Sequence, residues 1–128
     1  MKRLDYNISK RTENLNTWLL SLNAEKFYLD FDKEGSSNFA LPLILQEPNK
    51  DKLKTVCNIL EEEKVEYRLG TAGGGNQALQ PYLKYYNHKV EGELPNANYI
   101  HHYALYIGNH PELTSTQIIN LCSKLNTI

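Results

Sequence analysis

The chain has 128 residues, of which 41 % are apolar and 23 % charged, with a formal net charge of −1. That length predicts one domain able to bury a core, and the ordinary composition fits a globular protein. The near-balance of 14 basic and 15 acidic residues excludes the clustered basic excess of a broad nucleic-acid footprint, and no apolar run reaches the length of a membrane span.

Leu4, Ile8, Leu15, Trp18, Leu19 and Leu22 recur on one helical face, predicting an amphipathic helix over about 3–22 whose apolar stripe must be covered. Residues 23–36 read as a loop with the solvated run Asp30, Asp32, Lys33 and Glu34. The apolar stretch 36–46 reads as a strand, with Pro42 placing it at a sheet edge or an irregularity. Asn49 is the expected N-cap of a second helix buried through Leu53, Val56, Cys57 and Leu60. Glu61, Glu62 and Glu63 form its solvated end, mildly at odds with the helix dipole. Residues 65–70 form a short strand, and Pro81 opens a short helix after the glycines. Asn96 is expected to cap a helix over 97–103, followed by a strand at 104–107. Thr114 and Gln117 have the spacing of a capping box that opens a last helix, buried through Ile118, Leu121, Cys122 and Leu125. This order predicts an α/β two-layer sandwich, a small sheet with helices on one face.

Residues 71–82 concentrate the chemistry. Gly73, Gly74 and Gly75 allow close approach of a ligand to the backbone, and Asn76, Gln77 and Gln80 add amide donors and acceptors. The alternative is a flexible surface turn. The glycine spacing matches neither a P-loop nor a dinucleotide fingerprint. Arg68, just before the loop, offers a rigid fork for a carboxylate or phosphate, or else a surface ion pair with Glu66 or Glu63. His101 and His102 diverge as helix neighbours, so a shared metal is not expected, although one of them could line a pocket and move a proton. Cys57 and Cys122 sit in apolar stripes and read as reduced, unactivated thiols. The nine tyrosines gather toward the second half, including Tyr82, Tyr85, Tyr86, Tyr99, Tyr103 and Tyr106, a pattern that points to a ligand or a partner surface.

Two segments also carry a family resemblance. Tyr67-Arg68, Thr71 through Gln77 and Gln80 through Leu83, then Leu94 through His101 and Tyr106 through Thr114, resemble in order and spacing the C-terminal domain of the DegT/StrS sugar aminotransferases. The resemblance runs from about residue 2 to the end and is strongest at 67–83 and 94–114. It implies the small domain of a fold-type I, pyridoxal-phosphate-dependent enzyme acting on a nucleotide-linked keto-sugar. It further implies that Arg68, Gly73, Gly74, Gly75, Asn76, Gln77, Gln80 and His101 face the substrate and that the chain forms homo-oligomers; separately, residues 1–7 lack the apolar core of a signal peptide, so the expected compartment is the cytoplasm. Nothing in the chain resembles the family's large domain, which holds the lysine that binds the cofactor. Lys84 does not match that lysine. The isolated chain is therefore expected to carry no cofactor and to be inactive alone, its complement being a separate chain or a missing part of the same one. The alternative is a stand-alone binding module or a degenerate remnant without catalysis.

Overall fold

The computed structural model describes residues 3–72 and 74–128. Four α-helices and three strands follow in chain order: α1 Leu4–Ser21, β1 Ala40–Ile44, α2 Lys50–Glu62, β2 Tyr67–Leu69, α3 Pro95–Tyr103, β3 Ala104–Gly108 and α4 Ser115–Leu125. Short 3-10 turns at Gly70–Ala72, Gln77–Leu79 and Pro81–Tyr85 fill the segment between β2 and α3.

The sheet is antiparallel with β3 between β1 and β2. Leu41 pairs with Ile107, Leu43 with Leu105, Tyr67 with Ile107 and Leu69 with Leu105. Opposed residues share a face, so these six side chains lie on one side of the sheet. That side meets Trp18 of α1, Val56 and Leu60 of α2, and Ile118, Cys122 and Leu125 of α4 in a single core. The fold is thus the expected α/β sandwich. The opposite face carries Pro42, Arg68 and Tyr106 side by side and is much less covered.

β1 is an edge strand, as Pro42 requires. Leu45 N–H donates to Tyr103 O and Asn109 N–H to Phe39 O. By alternation, Pro42 therefore sits opposite Tyr106 at a position that makes no ladder bonds to β3. Its missing N–H faces outward at no cost, and its outward carbonyl accepts from Trp18 Nε1 at 2.9 Å. Further along the same edge, Tyr28 N–H donates to Ile44 O.

Several local expectations hold. Asn49 accepts from the N–H groups of Asp51 and Lys52, and Thr114 with Gln117 forms a complete capping box. The acidic end of α2 is relieved by its neighbours: Lys124 of α4 pairs with Glu63, and Tyr67 OH donates to Glu61 at 2.8 Å. Others need correction. The strand expected over 36–46 is only Ala40–Ile44, because Asn38 adopts a left-handed φ of 49° and ends the extended run. Asn96 is not a cap: α3 starts at Pro95, with Leu94 at the N-cap and no side-chain cap bond. Proline supplies the start, since its fixed φ suits the first helical turn. The stripe of α1 is covered only in its second half, where Leu15, Trp18 and Leu22 are buried against the sheet and α4 while Leu4 remains 58 % exposed.

Candidate functional site

The register of β2 and β3 sets Arg68 directly opposite Tyr106 on the uncovered face of the sheet. Arg68 is exposed and makes no ion pair among the described residues. The ring of Phe39, which leads into β1, stands edge-on to Tyr106 with centroids 6.2 Å apart. Gly74 comes down beside the same ring, for a Cβ built on it would lie 3.4 Å from Tyr106 Cε1. Two open depressions meet at Tyr106. One, of about 590 Å³, runs over Pro42, Phe39, Ala72 and Gly74. The other, of about 710 Å³, is lined by Arg68, Tyr67 and Gly108 together with Glu61, Lys64 and Glu66. The surface thus combines a free guanidinium, two aromatic rings and bare backbone. A guanidinium matches phosphate or carboxylate oxygens two at a time, and an aromatic face suits a base or a sugar ring.

The glycine turn behaves differently along its length. Gly75 N–H donates to Gly70 O at 2.8 Å, and a Cβ on Gly75 would fall 2.5 Å from His101 Cα. This is a packing demand for glycine, made by α3 pressing on the turn. Asn76 is buried. Its Oδ1 accepts from Ala78 N–H at 2.8 Å and its Nδ2 donates to Asn98 Oδ1 at 2.6 Å. Gln77 is exposed, and Gln80 Nε2 donates to Thr71 O at 3.2 Å. Gly73 lies outside the described residues. The structure therefore gathers Arg68 and Gly74 at one surface, leaves Gln77 exposed, ties Gln80 back to Thr71, and turns Gly75 and Asn76 inward.

His101 is buried beneath the turn, only 8 % exposed, and its Nδ1 has no hydrogen-bond partner. Burial, and then the charge of His102, hold its pKa below the ordinary histidine value. The two rings meet edge to face with centroids 4.8 Å apart. Among the described residues no three His, Cys, Asp or Glu side chains come together as metal ligands.

Both cysteines are free. Burial pushes the Cys122 thiol up to about 12 and also raises Cys57, so neither supplies a thiolate at neutral pH. Anchoring an aldehyde cofactor needs a desolvated lysine amine beside an anion cradle. No described lysine is buried. Of the half-covered ones, Lys10 pairs with Glu13, Lys26 donates to Asn126 O, and Lys52 lies 3.9 Å from Glu47. The described residues do not fit the anchoring end of such a cofactor.

Tyr106 and Phe39 are the functional candidates that sequence reasoning passed over. In sequence, Tyr106 stands out only as one of the clustered tyrosines and as the start of the second resembling segment, neither of which gives it a ligand role. Its place opposite Arg68 follows from strand register, which no local pattern specifies.

The fold and this surface define a small domain that presents an open face of Arg68, Tyr106 and Phe39 beside a glycine turn. The chain belongs to the DegT/DnrJ/EryC1/StrS aminotransferase family, whose model matches residues 1–126. It is 31 % identical over 123 residues to the GDP-4-keto-6-deoxy-D-mannose 3-dehydratase of Yersinia pseudotuberculosis, covering 94 % of this chain and 31 % of that protein. It is 27 % identical over 128 residues to the lipopolysaccharide biosynthesis protein RfbH of Salmonella typhimurium, covering 97 % of this chain and 29 % of that one. Among solved structures, a GDP-4-keto-6-deoxymannose-3-dehydratase with bound GDP-perosamine superposes with a TM-score of 0.82 at 25 % identity, over 97 % of this chain and 32 % of that one. The Escherichia coli enzyme with bound hydrated PLP gives 0.81, also at 25 %, with the same coverage. The chain thus spans about three tenths of the length of the curated relatives it matches.

Proposed function

We propose that this chain is the substrate-facing, C-terminal domain of a pyridoxal-phosphate-dependent enzyme that acts on a nucleotide-linked keto-sugar, by transamination or by the related dehydration. The observation that carries the reading is the juxtaposition of Arg68, Tyr106 and Phe39 on the open sheet face, with Gly74 alongside. Arg68 grips diphosphate oxygens through its fork. Tyr106 and Phe39 stack on base or sugar. Gly74 leaves the backbone bare for close approach, and Gln77 and Gln80 offer amides to sugar hydroxyls. Gly75, Asn76 and His101 set the shape of the turn that carries these groups. Pyridoxal phosphate supplies an electron sink for carbanion chemistry when bound, and its anchoring belongs to polypeptide beyond these residues, in the same chain or a separate one. Two copies associate, with Tyr85 and Tyr86, 86 % and 67 % exposed, as part of the contact. The assembly works in the cytoplasm, in the building of surface polysaccharide or of secondary-metabolite sugars. The names of the relatives support this enzyme reading over a stand-alone binding module.

The test is an NMR titration of the isotope-labelled chain with GDP-mannose as the probe, against GDP and mannose separately. Shifts should converge on Arg68, Gly74 and Tyr106, and Arg68→Ala should abolish those caused by the diphosphate. No shift at millimolar ligand, or shifts confined to another surface, would overturn the assignment.

A further inference from the structure

Asp32 lines the depression of about 590 Å³ that Phe39 and Tyr106 share, and it is the only charged side chain among the described residues there. It makes no ion pair among the described residues. Its Oδ1 accepts from Glu34 N–H at 3.0 Å, which ties the carboxylate into a turn. A carboxylate has two acceptor oxygens and no donor, so one such bond leaves most of its capacity unused. The other polar side chains of the depression are the hydroxyls of Ser36 and Tyr106 and the amide of Asn38, whose Nδ2 is spent on Thr12 Oγ1. Phe31 lines the same hollow, its ring held edge-on to Tyr28 with centroids 5.4 Å apart. Phe39 is 66 % exposed, so an aromatic face stands uncovered beside an unpaired carboxylate.

This pairing sorts the parts of a ligand. A lone carboxylate repels phosphate, which is turned toward Arg68 and Lys64 in the neighbouring depression. The aromatic side is left for a planar group that donates hydrogen bonds. The common bases differ in how they meet a carboxylate. Guanine carries N1–H and N2–H side by side on its Watson–Crick edge, and two carboxylate oxygens accept them together. Adenine and cytosine set an amino donor beside a bare ring nitrogen, and uracil sets one N–H between two carbonyls. Each of these brings a lone pair against the carboxylate, where guanine brings a second proton.

We propose that the depression beside Asp32 is the base subsite of this surface and selects guanine: the base stacks on Phe39 against Tyr106, and the Asp32 carboxylate accepts from its N1–H and N2–H. Stacking on the ring supplies attraction that any base shares, and Asp32 supplies the choice among bases. Tyr106 borders both depressions, so the nucleoside on one side of its ring and the diphosphate on the Arg68 side belong to one continuous ligand. This role of Asp32 rests on the nucleotide-linked sugar reading, to which it adds the base and the residue that decides it.

The experiment titrates the isotope-labelled chain with GDP, IDP, ADP and UDP in turn, reading each Kd from NMR shifts at Asp32, Phe39 and Arg68. GDP should bind at least about fivefold more tightly than ADP or UDP, the lower end for a bidentate pair between a side chain and a base. IDP, which lacks the 2-amino group, should fall between them. Asp32→Asn keeps an Oδ1 for Glu34 N–H and sits on an exposed loop, so the variant should fold as the wild type does. In it the advantage of GDP should vanish while ADP and UDP bind at least as well as before. Equal binding of all four, or a GDP preference that persists in Asp32→Asn, overturns the guanine assignment and leaves the diphosphate at Arg68 standing. So does an equal loss for every diphosphate in that variant, the mark of a carboxylate that holds the ribose. No binding of any of the four at millimolar concentration overturns both the base subsite and the substrate reading beneath it.

Discussion

Replacing Asn76 by alanine tests which of two jobs the glycine turn gives this residue. Its amide is spent within the chain: Oδ1 accepts from Ala78 N–H as the cap of the Gln77–Leu79 turn, and Nδ2 donates to Asn98 Oδ1. Loss of a side-chain cap costs about 1 kcal/mol. The second bond adds roughly 0.5 kcal/mol, toward the low end for a neutral pair, because Asn98 is exposed and its freed oxygen returns to water. Asn76→Ala should therefore destabilise by about 1–2 kcal/mol, a fall in Tm of roughly 3–10 °C for a domain of this size. Asn98→Ala strips the buried Asn76 Nδ2 of its acceptor and should itself cost about 0.5–1.5 kcal/mol. Urea and thermal unfolding of both variants and of the double variant give the coupling directly. A change within about 0.3 kcal/mol for Asn76→Ala, well below the usual cost of a lost cap, would refute the structural role. It would return Asn76 to the ligand.

Two further substitutions probe the packing around the same surface. Gly75→Ala should destabilise by about 1–3 kcal/mol or prevent folding, because the new methyl meets His101 backbone at 2.5 Å; chemical denaturation reads this, and a neutral result would show that α3 can shift. Asn109→Ala should cost about 2–4 kcal/mol in the same assay. It leaves the carbonyls of Arg11 and Asn38 without this donor and takes from Asn14 Nδ2 one of its two acceptors, at a site only 2 % exposed.

What could be read from the chain alone was the local chemistry. Asn49, the Thr114 and Gln117 pair, and Pro42 each act through neighbours a few residues away or through a missing N–H, so their meaning survives without a fold. The sandwich of a small sheet and helices followed from the order of such elements, and the family resemblance reinforced it. What could not be read depended on pairing at a distance. The apposition of Arg68 and Tyr106 requires β2 to lie beside β3 in one register. The buried amides of Asn14, Asn38 and Asn109 tie α1 to the approach to β1 and to the end of β3, yet each looks in sequence like an ordinary loop or helix-surface asparagine. The helical period of Leu4 and Ile8 matched that of Leu15 and Trp18, but periodicity does not say where the partner surface stops. The site expectation was similarly divided. Glycine residues signalled close approach correctly, but at Gly75 what approaches is α3 itself.

The order of the strands has a consequence for how the chain acquires its shape. The central strand is the last of the three to be made, and it alone joins the other two: Ala40 must wait for Gly108, and Tyr67 for Ile107. A growing polypeptide on the ribosome therefore holds β1, bridged only at its end by Phe27, and β2 without their shared partner strand until β3 emerges. Closing such long loops is entropically slow. During that interval Leu41 and Leu43 have no cover, which is the condition under which nascent chains turn to chaperones or to one another. Truncation before residue 104 should leave no sheet at all, whereas a nick among the exposed residues 86–93 should leave two pieces that still find each other through β3.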